Sequence, residues 1–532
     1  MSTLTSRERV RIALNHEEPD RVPVDFGGSR ITGIGAIAYK NLIQHLGLRE
    51  EIRVYDVKQQ LAEPSLAAIN RLGGDVVQLH RLGPTSGMPF LHIDRWKPGR
   101  LTDGTPCLIP EACEETRLPD GRIEIRHEGR LCAWRTPDSL YFDVCYAPLA
   151  QAQTPADIDA FVWPDPWTDR EERYLEQRVR ELHHGTDKAL FAGLRMFVCS
   201  FFEISLVLFG FENFMMKLVA ESDLVEHWLD AKLAHDLAIL ERFLAVAGPY
   251  LEAIQMNDDL GGQDTLQISP QIYRRLFKPR QRKWIEFVKS RTRAKVFLHC
   301  DGAIESILPD LIEIGVDVLN PLQTSARGMD PKRIKQQFGS QLSIWGGGAE
   351  TQTTLPFGSV EDIRHEVRGR VKLLGPGGGF VFATIHNIQP DIPPEKVLAI
   401  YHTVAARGKY PLARVFCGWT DILVNVTNPL RHMREIMISK AALLIAAVLK
   451  AGALLALSAP SESATTVLPP GQPAGVWATT QWLQAPGLSR PDIQDHRLRG
   501  QGRRDGQEHG GLSQGHRSLS WGWRRLGGGA GG

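Results

Sequence analysis

Two polar clusters in the sequence carry side chains suited to acid–base or metal chemistry, and each follows a run of apolar residues. Asp258 and Asp259 follow the run LEAIQMN, and His299 and Asp301 end the run KVFLHCD. Adjacent carboxyl groups repel one another when both are charged, so one can gain a raised pKa and act as a general acid. Such a pair can also bind a substrate cation. The alternative is a loop whose Asp caps the helix that begins near residue 269.

His299 and Asp301 are two positions apart at the end of a predicted strand. In an extended strand their side chains point the same way, and that of Cys300 points to the opposite face. An imidazole and a carboxylate placed side by side are ligands for a divalent metal. Two other interpretations remain open: a hydrogen-bonded pair that binds substrate without metal, and a purely structural role.

Further candidates are polar residues that follow other apolar runs. Glu203 lies in the stretch CSFFEISLVLFGFENF, where an unpaired carboxylate is costly to bury, so we expect it to face a pocket or a cation. The candidate substrate-binding residues at the ends of apolar runs are His80, Gln263, Glu350 and Gln352. No glycine-rich phosphate-binding pattern stands between a predicted strand and a predicted helix.

The elements that must position these residues alternate between apolar runs and amphipathic segments. The runs lack polar alternation, which is typical of parallel strands covered on both faces. The predicted strands are 22–26, 75–80, 189–194, 251–258, 295–299, 316–322, 342–345 and 379–384. About eight strand–helix cycles predict an α/β fold, a (β/α)8 TIM-like barrel, with the site at the carboxyl ends of its strands.

Two segments depart from this alternation. Residues 88–148 contain strand-like pieces and Asp-Gly turns, which predict a β-rich insertion after the second strand. It either covers part of the barrel mouth or forms a surface meander without a role at the site.

From residue 412 to 532 the alternation stops. This tail contains an apolar segment at 441–459 and ends in Gly- and Arg-rich sequence that cannot form a core. We expect the barrel domain to span residues 1–411. The tail is interpreted as a non-native addition or a disordered extension, with a native membrane anchor as the alternative.

Bulk composition excludes several classes of protein. The formal net charge of +1, with 23% charged residues, gives no basic surface for nucleic acid. The seven cysteines form no CxxC pair and no disulfide framework, which favours a reducing compartment. We therefore expect a cytoplasmic enzyme that acts on a small molecule.

Several ordered segments resemble the uroporphyrinogen decarboxylase superfamily. They are RERVRIALNHEEPDRVPVDFGG, PLAQAQTPADIDAFVWPDP, FLHCDGAIESILPDLIEIGVDVLNPLQ, IWGGGAETQTTLPFG and GPGGGFVFATIHNIQPDIPPEK. Together they span about three-quarters of the chain, in the family's order. The resemblance implies a barrel enzyme, either a cofactor-free decarboxylase or a methyltransferase that works with a corrinoid.

The two branches differ in the residues that the resemblance places at the site. Decarboxylases of the family bind a polycarboxylate with arginines after the first strand. In the matching stretch DFGGSR of this sequence only Arg30 can do so, and we expect Asp25 to repel such a substrate. This difference favours the methyltransferase-like branch.

The methyltransferases hold zinc with a His-x-Cys pair and a later Cys. The matching positions of this sequence are His299, Asp301 and His386, so the resemblance implies a two-histidine, one-carboxylate site for one divalent metal. Zinc is the first expectation, and iron, manganese and magnesium are alternatives.

Methyl transfer between a small methylated substrate and a corrinoid on a separate carrier protein is the expected function. Asp258, Asp259 or Glu203 would supply acid or charge, and Arg30 would bind substrate. The alternatives are a decarboxylase of uroporphyrinogen or a related carboxylate, with no cofactor, and a non-catalytic ligand-binding barrel. Members of the family often form dimers, so a homodimer is also an open expectation.

Overall fold

A sheet of seven parallel strands forms the centre of the protein. The computed structural model describes residues 4–83, 89–137, 139–163, 167–193 and 200–412. Neighbouring strands in the sheet follow one another along the chain, as expected for repeated strand–helix units: Val76–Leu79, Ala189–Ala192, Leu251–Asn257, Lys295–His299, Val318–Asn320, Ser343–Trp345 and Phe380–Val381. Nearly every strand residue is buried, because the barrel interior covers one face and helices cover the other.

Residues 22–26 close the sheet into a barrel. Val24 forms a parallel bridge to Phe382, and the Asp25 amide donates to the Phe382 carbonyl at 2.8 Å. On the other side, the Asp75 amide donates to the Val24 carbonyl at 2.7 Å. This segment occupies the eighth position with a single bridge rather than a full strand. The predicted TIM-like α/β barrel is confirmed.

Apolar side chains and one helix fill the lower half of the barrel. The interior cluster includes Phe191, Phe297 and Trp345 from the strands and Val10 from the helix Ser6–Leu14, which lies across the amino-terminal end. The chemistry is thereby confined to the opposite, carboxyl end.

Helices surround the sheet, and local sequence sets where several of them begin. Val360–Leu374 starts after a capping box between Ser359 and Asp362. Pro331 occupies the first turn of Pro331–Phe338, where its missing N–H costs nothing. The remaining α-helices are Ala36–His45, Leu66–Arg71, Pro155–Asp159, Asp169–Val179, Phe202–Phe209, Phe211–Ala220, Ser222–Ala247, Pro270–Ile272, Lys278–Arg291, Leu308–Glu313, Thr354–Phe357 and Pro394–Arg407.

Two small antiparallel sheets form the β-rich insertion that the sequence predicts after the second barrel strand. Trp96–Arg100 pairs with Pro106–Pro110 in one sheet. The other sheet contains Glu114–Arg117, Ile123–His127, Arg130–Arg135 and Asp143–Val144. A separate hairpin, Val54–Asp56 with Leu61–Ala62, precedes them. The Phe142 amide donates to the Lys58 carbonyl at 2.9 Å, so the end of the insertion is attached to this hairpin.

The tail lies outside the described residues, which end at residue 412. Its predicted character, its apolar segment at 441–459 and the boundary at residue 411 therefore stay predictions. Among the described residues, none of the helices combines the length and the apolar character that crossing a bilayer requires.

Candidate active site

His299, the last residue of its strand, is held in one orientation by two neighbouring strands. Its Nδ1 lies 2.8 Å from Asn320 Oδ1, and Asn320 Nδ2 donates to the Trp345 carbonyl at 2.7 Å. Because the carbonyl can only accept, Asn320 must present its oxygen to the imidazole, which therefore donates from Nδ1. In the neutral imidazole this arrangement puts the lone pair of His299 on Nε2, at the carboxyl end of the barrel.

Asp301 and His386 meet His299 at this end of the barrel. One ligand atom from each of the three residues lies within 4.8 Å of the other two, and all three side chains are buried. Asp301 Oδ2 is 3.6 Å from His299 Nε2. Burial lowers the pKa of His386 to about 3, with help from His299 and Arg30, so its imidazole is neutral at ordinary pH. The structure thus brings together the three residues predicted to bind metal.

Asp259 lies beside this cluster. Its Oδ1 accepts a hydrogen bond of 3.0 Å from the Asp301 amide and is 3.9 Å from His299 Nε2. Burial, followed by the nearby charge of Asp301, raises the pKa of Asp259 to about 8. A carboxyl group at this distance from the cluster can exchange a proton with a bound molecule.

Asp258 has different surroundings, although it directly precedes Asp259 in the chain. Its fully buried carboxylate accepts from the amides of Phe201, Phe202 and Glu203 at 2.7–3.2 Å, and from Gln281 Nε2 at 3.0 Å. Burial raises its pKa to about 7, and these donors act in the opposite direction. Asp258 therefore faces the start of the helix Phe202–Phe209, which it stabilises as an anion at a helix amino terminus does.

Glu203 occupies the first turn of that helix, partly buried. Its negative charge acts on Arg30, Lys58 and Asp259, so the carboxylate lies among these groups. The role of this glutamate at the site stays a prediction.

Arg30 and Asp25 belong to the same loop but face different environments. Arg30 Nε donates to Asp56, and the arginine lies near His386. Asp25 is fully buried and accepts from Trp345 Nε1, Thr32 Oγ1 and the Gly28 amide at 2.7–2.8 Å. The expectation that Asp25 repels a polyanion is wrong, because its carboxylate holds the loop together.

Three of the predicted substrate-binding residues form hydrogen bonds with the loop 323–325. Gln323 Nε2 donates to Gln263 Oε1 at 3.3 Å, Thr324 Oγ1 donates to Glu350 Oε2 at 3.2 Å, and Ser325 Oγ donates to Gln352 Oε1 at 3.1 Å. The fourth, His80, packs against the ring of Tyr55 at 4.7 Å between centroids. Their roles as substrate-binding residues stay predictions.

Sequence reasoning missed several groups because no local pattern marks them. Asn320 orients His299 from a neighbouring strand, Asp56 binds Arg30 from the hairpin, and Tyr141 reaches in from the insertion. Gln389 Nε2 donates to the Tyr141 hydroxyl at 2.9 Å, only three residues after His386. The end of the insertion therefore contacts the segment that follows His386, which favours the first of the two alternatives for this segment.

The donor set of the cluster fits a divalent metal. Two imidazole nitrogens and one carboxylate are borderline to hard ligands, which suits zinc, iron or manganese. Asn320, which accepts a hydrogen bond from His299 Nδ1, is the kind of outer partner that metal-binding histidines usually have. Asp259 and Asp301 also bring two carboxyl groups together in a buried place, where a cation would offset their repulsion.

Replacing Asn320 by leucine is expected to weaken metal binding about 10- to 100-fold, because His299 is then free to rotate and change tautomer. A chelator competition assay with zinc measures this. Asn213→Leu is the matched control, since Asn213 also donates to backbone carbonyls but lies far along the chain from the cluster. Equal zinc affinity in the two variants would contradict the assignment.

Comparison with known proteins gives three findings. A family model described as uroporphyrinogen decarboxylase matches residues 149–407. A uroporphyrinogen decarboxylase from Thioalkalivibrio sulfidiphilus is 26% identical over 338 residues, which cover 60% of this chain and 90% of that protein. A methyltransferase from Methanosarcina mazei is similar in structure, with a TM-score of 0.48 and 20% identity, over 76% of this chain and 99% of that one. The family match includes the three clustered residues and Asp259, whereas Arg30, Lys58 and Tyr141 precede it.

Proposed function

Because the chain belongs to the uroporphyrinogen decarboxylase superfamily, we propose that its barrel is an enzyme that transfers a methyl group between a small methylated substrate and a corrinoid. The corrinoid would be carried by a separate protein that docks at the barrel mouth. The observation that carries the proposal is the buried cluster of His299, Asp301 and His386. A cofactor-free decarboxylase has no need of such a cluster.

His299, Asp301 and His386 would hold the metal, which when bound supplies a Lewis acid that polarises the atom bearing the methyl group. Asn320 keeps His299 Nε2 directed at this position. Asp259, 3.9 Å from His299 Nε2, would give a proton to the substrate atom that loses its methyl group, and in the reverse direction would take that proton back.

Decarboxylation is the second candidate, favoured by the name of the relative from Thioalkalivibrio sulfidiphilus. A porphyrinogen presents many carboxylates. In the stretch of residues 25–30, Arg30 is the single basic side chain, and Asp56 already occupies its Nε. The balance of these observations favours methyl transfer.

Two assays run in parallel test the proposal. The zinc-loaded full chain is incubated with free cob(I)alamin and a panel of methyl ethers, methyl thioethers and methylamines, and visible absorbance follows formation of methylcobalamin. A second reaction contains uroporphyrinogen, and mass spectrometry follows carboxylate loss. We expect metal-dependent methylation of cobalamin with at least one donor. Carboxylate loss without metal would establish the decarboxylase instead, and no turnover in either assay would favour the binding barrel.

A further inference from the structure

Three hydrogen-bond donors at the barrel mouth lack an acceptor among the described residues. The first is Arg30, which is 9% exposed. Its Nε is bound to Asp56, but its Nη2 is buried and makes no hydrogen bond within the described part of the chain. A buried guanidinium nitrogen without an acceptor is costly, so a bound group that supplies an oxygen would be stabilised there.

The second donor is the amino group of Lys58. The charges of Arg30, Glu203, Asp56 and Asp143 all act on it, so it lies within electrostatic reach of the arginine. It forms neither an ion pair nor a hydrogen bond with any residue in the described ranges. Its backbone is fixed, because the Lys58 carbonyl accepts from the Phe142 amide at 2.9 Å.

The third donor is the hydroxyl group of Tyr141, contributed by the insertion. Gln389 donates to its oxygen at 2.9 Å, and Asn387 also acts on it as a donor. The hydroxyl proton therefore remains for another acceptor, and across the described ranges no residue accepts it. The charge of Arg30 acts on Tyr141, so this hydroxyl lies near the same guanidinium.

These donors adjoin the metal cluster. Arg30 influences His386 directly, and the Gly33 amide donates at 2.7 Å to Asn387 Oδ1, next to His386 in the chain. Asp56 binds Arg30 through Nε and so leaves Nη2 available. One guanidinium nitrogen of Arg30, the Lys58 ammonium group and the Tyr141 hydroxyl thus have no acceptor in the described ranges, and together they match a negatively charged group with at least two oxygens.

We infer that Lys58 and Tyr141, together with Arg30, form a subsite for a carboxylate of the substrate, so that the methylated substrate is a small carboxylic acid. The inference rests on the proposed function, because only methyl transfer implies that the other end of this acid carries the methyl group that reacts. Lys58 and Tyr141 lie before residues 149–407, so this specificity is built by parts of the chain that the family match does not include.

Calorimetric titration of the zinc-loaded full chain tests the subsite with three pairs of probes: acetate and acetamide, benzoate and benzamide, and 4-methoxybenzoate and 4-methoxybenzamide. We expect at least one carboxylate to bind more tightly than its amide. Lys58→Met should then weaken binding of that carboxylate about 10- to 100-fold, and Tyr141→Phe should weaken it about tenfold. Binding of the amide should change little in either variant. Lys40→Met and Tyr146→Phe are the matched controls, since Lys40 pairs with Asp103 and Tyr146 packs on Arg130.

Equal binding of carboxylate and amide in all three pairs, or unaltered carboxylate affinity in both subsite variants, would overturn the inference. Metal content is measured on the same samples to keep the two proposals apart. A chain that binds carboxylate through Lys58 but no metal would retain the subsite and refute the metal-assisted methyl transfer.

Discussion

Replacing both His299 and His386 by alanine is expected to lower the bound metal from about one ion per chain to background. Asp301 alone would then remain of the clustered ligands, and a single carboxylate rarely holds a transition metal against competing water. The chain should stay folded, because both imidazoles lie at the open end of the barrel, beyond the apolar interior around Phe297 and Trp345. Plasma mass spectrometry of the purified full chain measures the metal and identifies it.

A second pair of histidines provides the matched control. His183 and His184 are adjacent, with ring centroids 4.9 Å apart, but they lie at the end of a helix outside the barrel. A His183→Ala, His184→Ala variant should keep the metal. Wild-type protein without metal after incubation with zinc, iron(II) or manganese(II), or full metal content in the His299/His386 variant, would refute the cluster as a metal site.

Replacing Asp258 by alanine is expected to lower the free energy of unfolding by about 3–5 kcal/mol, because several buried donors lose their acceptor together. The amides of Phe201, Phe202 and Glu203 would face an apolar methyl group at the start of a helix. Urea denaturation measures the loss. Asp264→Ala, in an exposed loop position, should change the free energy by less than about 0.5 kcal/mol.

The variant Asp258→Asn separates stability from chemistry. Asparagine keeps one oxygen for the helix amides, and the Gln281 side-chain amide can turn to present its own oxygen to the new NH2 group. We expect a stable protein that retains metal and turnover. A folded Asp258→Asn protein with no turnover would instead assign Asp258 a direct role in proton transfer.

Most of the barrel was predictable because its strands are buried on both faces and read as apolar runs. The ends of the strands were less predictable. Residues 316–322 were predicted as one strand, but the ladder covers only Val318–Asn320, and Gln323 turns away to accept from the Gly302 amide at 2.7 Å. Residues 22–26 form a bridge rather than a strand, since their hydrogen bonds are shared between two neighbours and the buried Asp75 carboxylate.

The candidate site was also predictable only in part. Strand periodicity predicted His299 and Asp301 side by side, and the two residues do meet, although the strand ends at His299. The role of Asn320 depends on the register between neighbouring strands, in which it lies directly opposite His299. Tyr141 belongs to the insertion, and its contact with Gln389 joins two segments far apart in the chain, so no local pattern in the sequence encodes it.

The bridge between Val24 and Phe382 joins the first barrel segment to the last. During synthesis from the amino terminus, almost the entire domain must be made before the partner of the first segment has been synthesised. Contacts of such long sequence separation slow folding, since the chain loses the entropy of a very large loop before the contact compensates for it. Until that moment the growing sheet has two unpaired edges, so we expect the nascent chain to depend on protection from aggregation until Phe382 has emerged.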